Sequence, residues 1–186
     1  MTKLLRYLIF LMVLGAIGCD EAPDPTADFS PRVLLTAAAE DGDPEAQYAL
    51  AVGYGRGEFG EPDPTAFEYW LRRAAGGGHT RAQEQLGQLL LQQGGEAADA
   101  EALGWFQQAA AAGDARARYS LGVMHASGRG VPVNLEEAFL WVSLAAAQGH
   151  EAAREAQARI GEALSESQQA AVARRLRALL EPDGEP

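Results

Sequence analysis

Three segments of nearly equal length follow one another in this chain: DPEAQYALAVGYGRGEFGEPDPTAFEYWLRRAAGGG (43–78), HTRAQEQLGQLLLQQGGEAADAEALGWFQQAAAAG (79–113) and DARARYSLGVMHASGRGVPVNLEEAFLWVSLAAAQG (114–149). A fourth, partial unit, HEAAREAQARIGEA, opens the same way at His150 and covers 150–163. Stacked, the segments bring Ala46, Ala82, Ala117 and Ala153 into register, then Leu50, Leu86 and Leu121, then Trp70, Trp105 and Trp141. An Ala-Ala pair follows each tryptophan, and Gly78, Gly113 and Gly149 close the units. A period of this size marks an architecture in which each unit buries its apolar side on the next.

Each unit reads as two helices. At 100° per residue from Ala46, Leu50, Gly53 and Tyr54 share one face, and Phe67, Trp70 and Ala74 share another in the second half. Alanine, leucine, glutamine, glutamate and arginine dominate the composition, all of them helix formers, so almost no strand is expected. Asp63 before Pro64, and Asn134 three residues before Glu137, are predicted N-caps. Gly128 and Gly130 end a helix and let the chain reverse, and Pro132 delays the next helix until Asn134. SPRVLLTAAAEDG adds a leading helix capped by Ser30. Ser165 with Gln168 opens a capping helix over 165–181 that carries Ala171, Val172, Leu176 and Leu179 and stops at Pro182. The count expected is nine helices.

Residues 1–18 read as a leader: Lys3 and Arg6 precede an apolar run from Tyr7 to Ile17 that is short for a membrane span. The sequence AIGC, Ala16 to Cys19, resembles the bacterial lipobox, although that motif commonly has leucine where this chain has Ala16. The resemblance implies cleavage before Cys19 and acylation of that cysteine. An ordinary signal peptide with an incidental cysteine and an uncleaved anchor are the alternatives. Cys19 is the only cysteine, so stability cannot come from a disulfide within the chain. Asp20 looks like a signal that retains some lipoproteins in the inner membrane. Residues 19–29 form an acidic tether with Pro23 and Pro25, and such a segment reaches at most about 3.3–3.6 Å per residue.

The net charge is −11 and grows more negative once Lys3 and Arg6 are removed, which argues against a nucleic-acid partner. No metal or cofactor is expected. The glycine loops follow no strand and precede no Lys-Ser or Lys-Thr, so they do not match a phosphate loop. His79, His125 and His150 form no pair at ligand spacing. His79 and His150 fall where other units have Asp43 and Asp114, a helix-start position, and His125 stands where Tyr54 does. No pair of carboxylates is singled out, Ser120, Ser127 and Ser143 lie in no nucleophile elbow, and the chain reads as a non-enzyme.

ARYSLGVMHASGRGVPVNLEEAFLWVSLAAAQG resembles the Sel-one-like repeat, a relative of the tetratricopeptide repeat: alanine, then Leu-Gly, a Gly-x-Gly-Val-Pro loop, Ala-x-x-Trp, Ala-Ala and a final glycine. The first unit has a longer loop, GRGEFGEPDP, and the second lacks the Gly-Val-Pro corner. The resemblance covers about residues 33 to 163. It implies an all-α, right-handed α-solenoid of stacked antiparallel helix pairs over 30–181, serving as a binding scaffold for a protein or peptide.

The tryptophans, at a fixed repeat position on an alanine-rich face, read as core. Opposite the Ala-Leu face of each first helix lie Tyr48 and Val52, then Glu84 and Gln88, then Tyr119 and Val123. In solenoids the first helices commonly line the concave side. A row of two tyrosines around one acid makes these six the candidate partner-binding residues, with packing between adjacent helices as the competing role. The expectation is therefore a scaffold lipid-anchored to a membrane at Cys19 in a bacterial envelope, on the periplasmic side if the bacterium is Gram-negative. The alternatives are a glycan-binding regulator of cell-wall enzymes, for which Gln47, Gln83 and Gln88 are the amide candidates, and a purely structural envelope lipoprotein.

Overall fold

The structure, a computed structural model, describes residues 31–180. The leader, Cys19, the tether and the Ser30 cap lie outside the described residues. Within them are nine α-helices and no strand: α1 (Pro31–Glu40), α2 (Pro44–Arg56), α3 (Pro64–Gly76), α4 (Thr80–Gln93), α5 (Glu96–Ala111), α6 (Ala115–Ser127), α7 (Leu135–Ala147), α8 (Glu151–Glu162) and α9 (Glu166–Leu180). Each helix from α2 to α8 packs on the one before it, so α2, α4, α6 and α8 form a row of first helices and α3, α5 and α7 a row of second helices. The leading helix α1 covers α2, and α9 closes the other end against α7. The architecture is an all-α solenoid with a covering helix at each end.

The helices start where a side chain can accept from free amides. Asp43 takes Glu45 N and Ala46 N, Asp63 takes Thr65 N and Ala66 N, and Asp114 takes Arg116 N and Ala117 N. Asn134 accepts from Glu137 N at 3.0 Å. His79 and His150 occupy the aspartate position and do the same work with a ring nitrogen: Nδ1 accepts from Ala82 N at 3.1 Å and from Ala153 N at 3.2 Å. At α9 the Ser165 and Gln168 side chains exchange bonds with each other's backbone amides.

Gly128 ends α6 in the left-handed region, at φ 75°, and Gly130 follows at φ 66°. A side chain at Gly130 would meet the carbonyl of Asp99 at 2.5 Å, so this corner needs glycine for closeness as well as for conformation. Arg129 between them reaches back one repeat, donating to Leu91 O at 3.0 Å and pairing with Asp99. The corner is thus also a staple between the second and third units. In the longer first loop Phe59 folds back over Gly53 and meets Tyr54 edge-on at 5.3 Å. The second unit turns instead on Gly94 and Gly95, at φ 71° and 95°, and α5 starts with no side-chain cap.

The core is built of small and medium residues: Ala46, Ala82, Ala117 and Ala153 are buried in register, beside Leu50, Leu86 and Leu121. Alanine at these positions lets helix axes approach, while Phe106, Leu71, Met124 and Val142 fill the space between. Trp70 is buried, but Trp105 and Trp141 are only half-buried, so the tryptophan position is core in the first unit and its margin in the next two. The indole N–H of Trp105 stays within reach of an acceptor and donates to Glu101 at 3.2 Å.

Candidate functional site

Two grooves lie along the row of first helices, and they occupy the same place in the repeat. One, of about 460 Å³, opens between α2 and α4 and is walled by Tyr48, Val52 and Arg56 on one side and Arg81, Gln85 and Gln88 on the other. The second, of about 360 Å³, opens between α6 and α8, where Tyr119, Val123 and Ser127 face Ala156, Arg159 and Ile160. Counting from Asp43 and Asp114, Tyr48 corresponds to Tyr119, Val52 to Val123 and Leu89 to Ile160. A periodic backbone has therefore produced a periodic surface.

The tyrosines hold the groove walls through the histidine caps. Tyr48 stacks on His79 with ring centroids 4.2 Å apart and planes at 21°, and Tyr119 stacks on His150 at 4.8 Å and 22°. Each imidazole is thus fixed twice, by the amide it caps and by the ring above it. Both tyrosines are half-buried, with one ring face on histidine and the other edge at the groove. Packing between helices and lining a groove, set against each other above, are here done by one side chain.

The middle junction differs, and corrects part of the expected row. Glu84 is not an exposed acid between two tyrosines: it is 5% exposed and lies 3.3 Å from Arg116 of the next first helix. Burial pushes its carboxyl up from the ordinary value, with the Arg116 charge acting the other way. Gln88 contributes to the first groove, while its amide donates to Ser120 at 2.9 Å across the same junction. Val52 is half-buried and Val123 is exposed, each at its groove.

Glu84→Gln tests this account. A carboxyl whose folded pKa is raised contributes stability below its unfolded pKa and loses it as pH rises through the folded one. Arg116 is 46% exposed and also faces Asp114 at 3.9 Å, so removing the Glu84 charge does not strand it. The variant is expected to be the more stable protein at pH 7, by about 1 kcal/mol, with the advantage gone by pH 4. Thermal melts of both proteins across that range measure it, and an unchanged difference from pH 4 to 7 would refute it.

The amides proposed for glycan are corrected as well. Gln47 and Gln83 are buried, and each donates to a carbonyl eight residues earlier, Ala39 O at 2.9 Å and Ala75 O at 3.2 Å. Arg118 makes the same bond to Ala110 O in the third unit. These side chains add a second donor to carbonyls at the end of the preceding helix that already accept from a turn amide. His125 does sit half-buried at the Tyr54 position; its Nδ1 has no partner, and burial lowers its pKa while Glu137 opposes the shift.

Arg56, Arg81, Gln85, Leu89 and Gln92 line the first groove and were not among the expected site residues. A signal existed, since Arg81, Gln85, Gln88 and Gln92 recur at helical spacing on one face of α4. Reading it required knowing that α2 stands opposite. No cluster of histidine, cysteine or carboxylate groups fit to hold a metal occurs among the described residues, and none of the described helices is long and apolar enough to cross a membrane.

Comparison with known proteins supports the solenoid fold through one solved structure. The crystal structure of a Sel1 repeat protein from Oxalobacter formigenes is 34% identical, covers 68% of this chain and 96% of its own, and superposes with a TM-score of 0.62. The crystal structure of c5321, a protective antigen present in uropathogenic Escherichia coli strains displaying an SLR fold, is 20% identical over 81% of this chain and 48% of its own, with a TM-score of 0.33. No curated protein matches. The Sel1 repeat profile matches residues 44–79, 80–114 and 115–150, one residue out of phase with the units read above. Such repeats generally mediate protein–protein interaction, and with three of them in tandem the chain belongs to the Sel1 repeat family.

Proposed function

We propose that this protein is a membrane-tethered adaptor of the bacterial envelope that holds a protein partner on its row of first helices. The observation that carries the reading is the pair of repeat-equivalent grooves, each walled by a tyrosine fixed on a histidine cap. Tyrosine offers a large amphipathic surface at low entropic cost, and stacking removes most of what cost remains. Acyl chains on Cys19 would hold the solenoid at a membrane to which its net charge gives it no attraction, with residues 19–29 as the spacer. Display at a surface and capture in the grooves then form one mechanism, and no chemistry is required of the chain.

In-cell crosslinking with affinity capture tests the adaptor, comparing the native chain with the Tyr48→Ala, Tyr119→Ala double variant. The variant is expected to keep its helices, to lose about 1 kcal/mol per ring stack, and to lose the captured partner. Equal capture by the two proteins would overturn the assignment of the grooves. Cys19→Ser, which removes the acylation site, is expected to move the protein from the membrane fraction to the soluble one; retention at the membrane would overturn the lipid anchor.

A further inference from the structure

The two grooves share a position in the repeat but not a chemistry. The chain carries 26 acidic and 15 basic side chains, yet neither groove is lined by a carboxylate. The groove between α2 and α4 is lined by two arginines and no carboxylate. Four arginines elsewhere are matched closely, Arg72 by Glu68 and Glu101, Arg116 by Glu84, Arg129 by Asp99 and Arg175 by Glu137, and none of the four lines this groove. Arg56 has only Glu58, at 3.6 Å, with side chains 73% and 52% exposed, a pair of little strength. Arg81 lies over the Tyr48 ring at 5.9 Å; Glu84 is close enough to feel its charge, but that carboxylate pairs with Arg116.

Between the arginines lies an apolar floor of Val52, Phe67 and Leu89, rimmed by Pro62 and Pro64. Gln85 and Gln92 also line the groove, and neither side chain makes a hydrogen bond among the described residues. A glutamine amide offers both a donor and an acceptor, the pair of groups that an extended backbone presents at every residue. A small anion would leave the floor unused, and a purely apolar ligand would leave two guanidinium groups unmatched. An extended strand sends alternate side chains to opposite sides and can satisfy both.

We propose that the α2–α4 groove docks an extended, acidic and apolar peptide segment of the partner protein, with its carboxylates on Arg56 and Arg81. This rests on the adaptor reading and adds the chemistry of the partner. The second groove is the built-in control. Ser127, Ala152, Ala156 and Ala163 stand where the first has Arg56, Arg81, Gln85 and Gln92, so it retains an apolar floor without the paired cations.

The test is fluorescence anisotropy of the full chain in detergent with two labelled nonapeptide pools. One alternates Leu, Val or Phe with Asp or Glu; the other carries Asn or Gln at the acidic positions. The acidic pool is expected to bind at least tenfold more tightly at 50 mM salt, with a preference that shrinks at 300 mM. Arg56→Gln and Arg81→Gln are each expected to weaken it severalfold and together to abolish the preference, whereas Arg159→Gln in the second groove leaves it in place. Circular dichroism guards against unfolding, which is not expected because both arginines are exposed. Equal binding of the two pools, or a preference that survives the double variant, overturns the proposal. So does binding that appears only when Asp20, Glu21, Asp24 and Asp28 are changed to their amides, since the chain's own tether would then be the occupant. Crosslinking that captures a partner while the acidic preference is missing would leave the adaptor reading standing and this inference refuted; failure of both would remove both.

Discussion

Phe106→Ala is expected to cost about 3–5 kcal/mol, the largest loss from any single truncation in this chain. Phe106 is fully buried on α5, and its ring lies so close to α4 that a methyl group on Gly87 would sit 2.7 Å from two ring atoms. Truncation removes the transfer energy of the ring and leaves a cavity that two helices cannot close without moving their neighbours. A loss of that size is a large part of the stability of an ordinary domain. Chemical denaturation measures it, and a cost under 1 kcal/mol would refute this packing of α4 on α5. Gly87→Ala alone is expected to destabilise by crowding, by about 1–3 kcal/mol. Combined with Phe106→Ala, the added methyl enters the vacated space, so the two costs fall short of additivity.

Gly122→Val is expected to be nearly as damaging, and the milder Gly122→Ala to cost about 1–3 kcal/mol. A Cβ at Gly122 would lie 2.4 Å from Val142 Cγ1, 3.1 Å from Ala138 O and 3.2 Å from Val142 N. Val142 can rotate away, but the backbone of α7 can yield only if the helices part. Alanine is the better helix former by about 1 kcal/mol, so the expected sign runs against propensity. Gly104 supplies the contrast: it lies within α5 with nothing within 4 Å of its would-be Cβ. Gly104→Ala is therefore expected to stabilise by about 0.5–1 kcal/mol. Melting curves for the two alanine variants should shift in opposite directions; shifts in the same direction would mean that the α6–α7 approach is looser than described.

These expectations separate what is local in this protein from what is not. The cap at Asp63, the end at Gly128 and the Ser165–Gln168 box depend on atoms within a few residues of one another, so their sequence spacing already contains their geometry. The alanine and leucine registers were legible for a related reason, since a repeated unit must present the same side to each neighbour. Glu84 was not. The helical wheel gives it the azimuth of Tyr48, but an azimuth carries no information about the distance to the next first helix. There Arg116 closes the junction over the carboxylate. Gln47 and Gln83 were misread for the same reason: their partners are carbonyls of the preceding helix, reached only when the turn between helices is built.

The sequence by itself determined the all-α class, the helix pairs and most of their limits, because periodicity, caps and glycine corners act over one or two turns of chain. Only the tertiary structure decided which side chains face a groove, which close a junction, and that one groove holds two arginines, Arg56 and Arg81, while its repeat equivalent holds one, Arg159. The physical reason is that burial and charge pairing at those positions are properties of two helices about 36 residues apart in sequence, and their separation is set by the alanines and glycines packed between them.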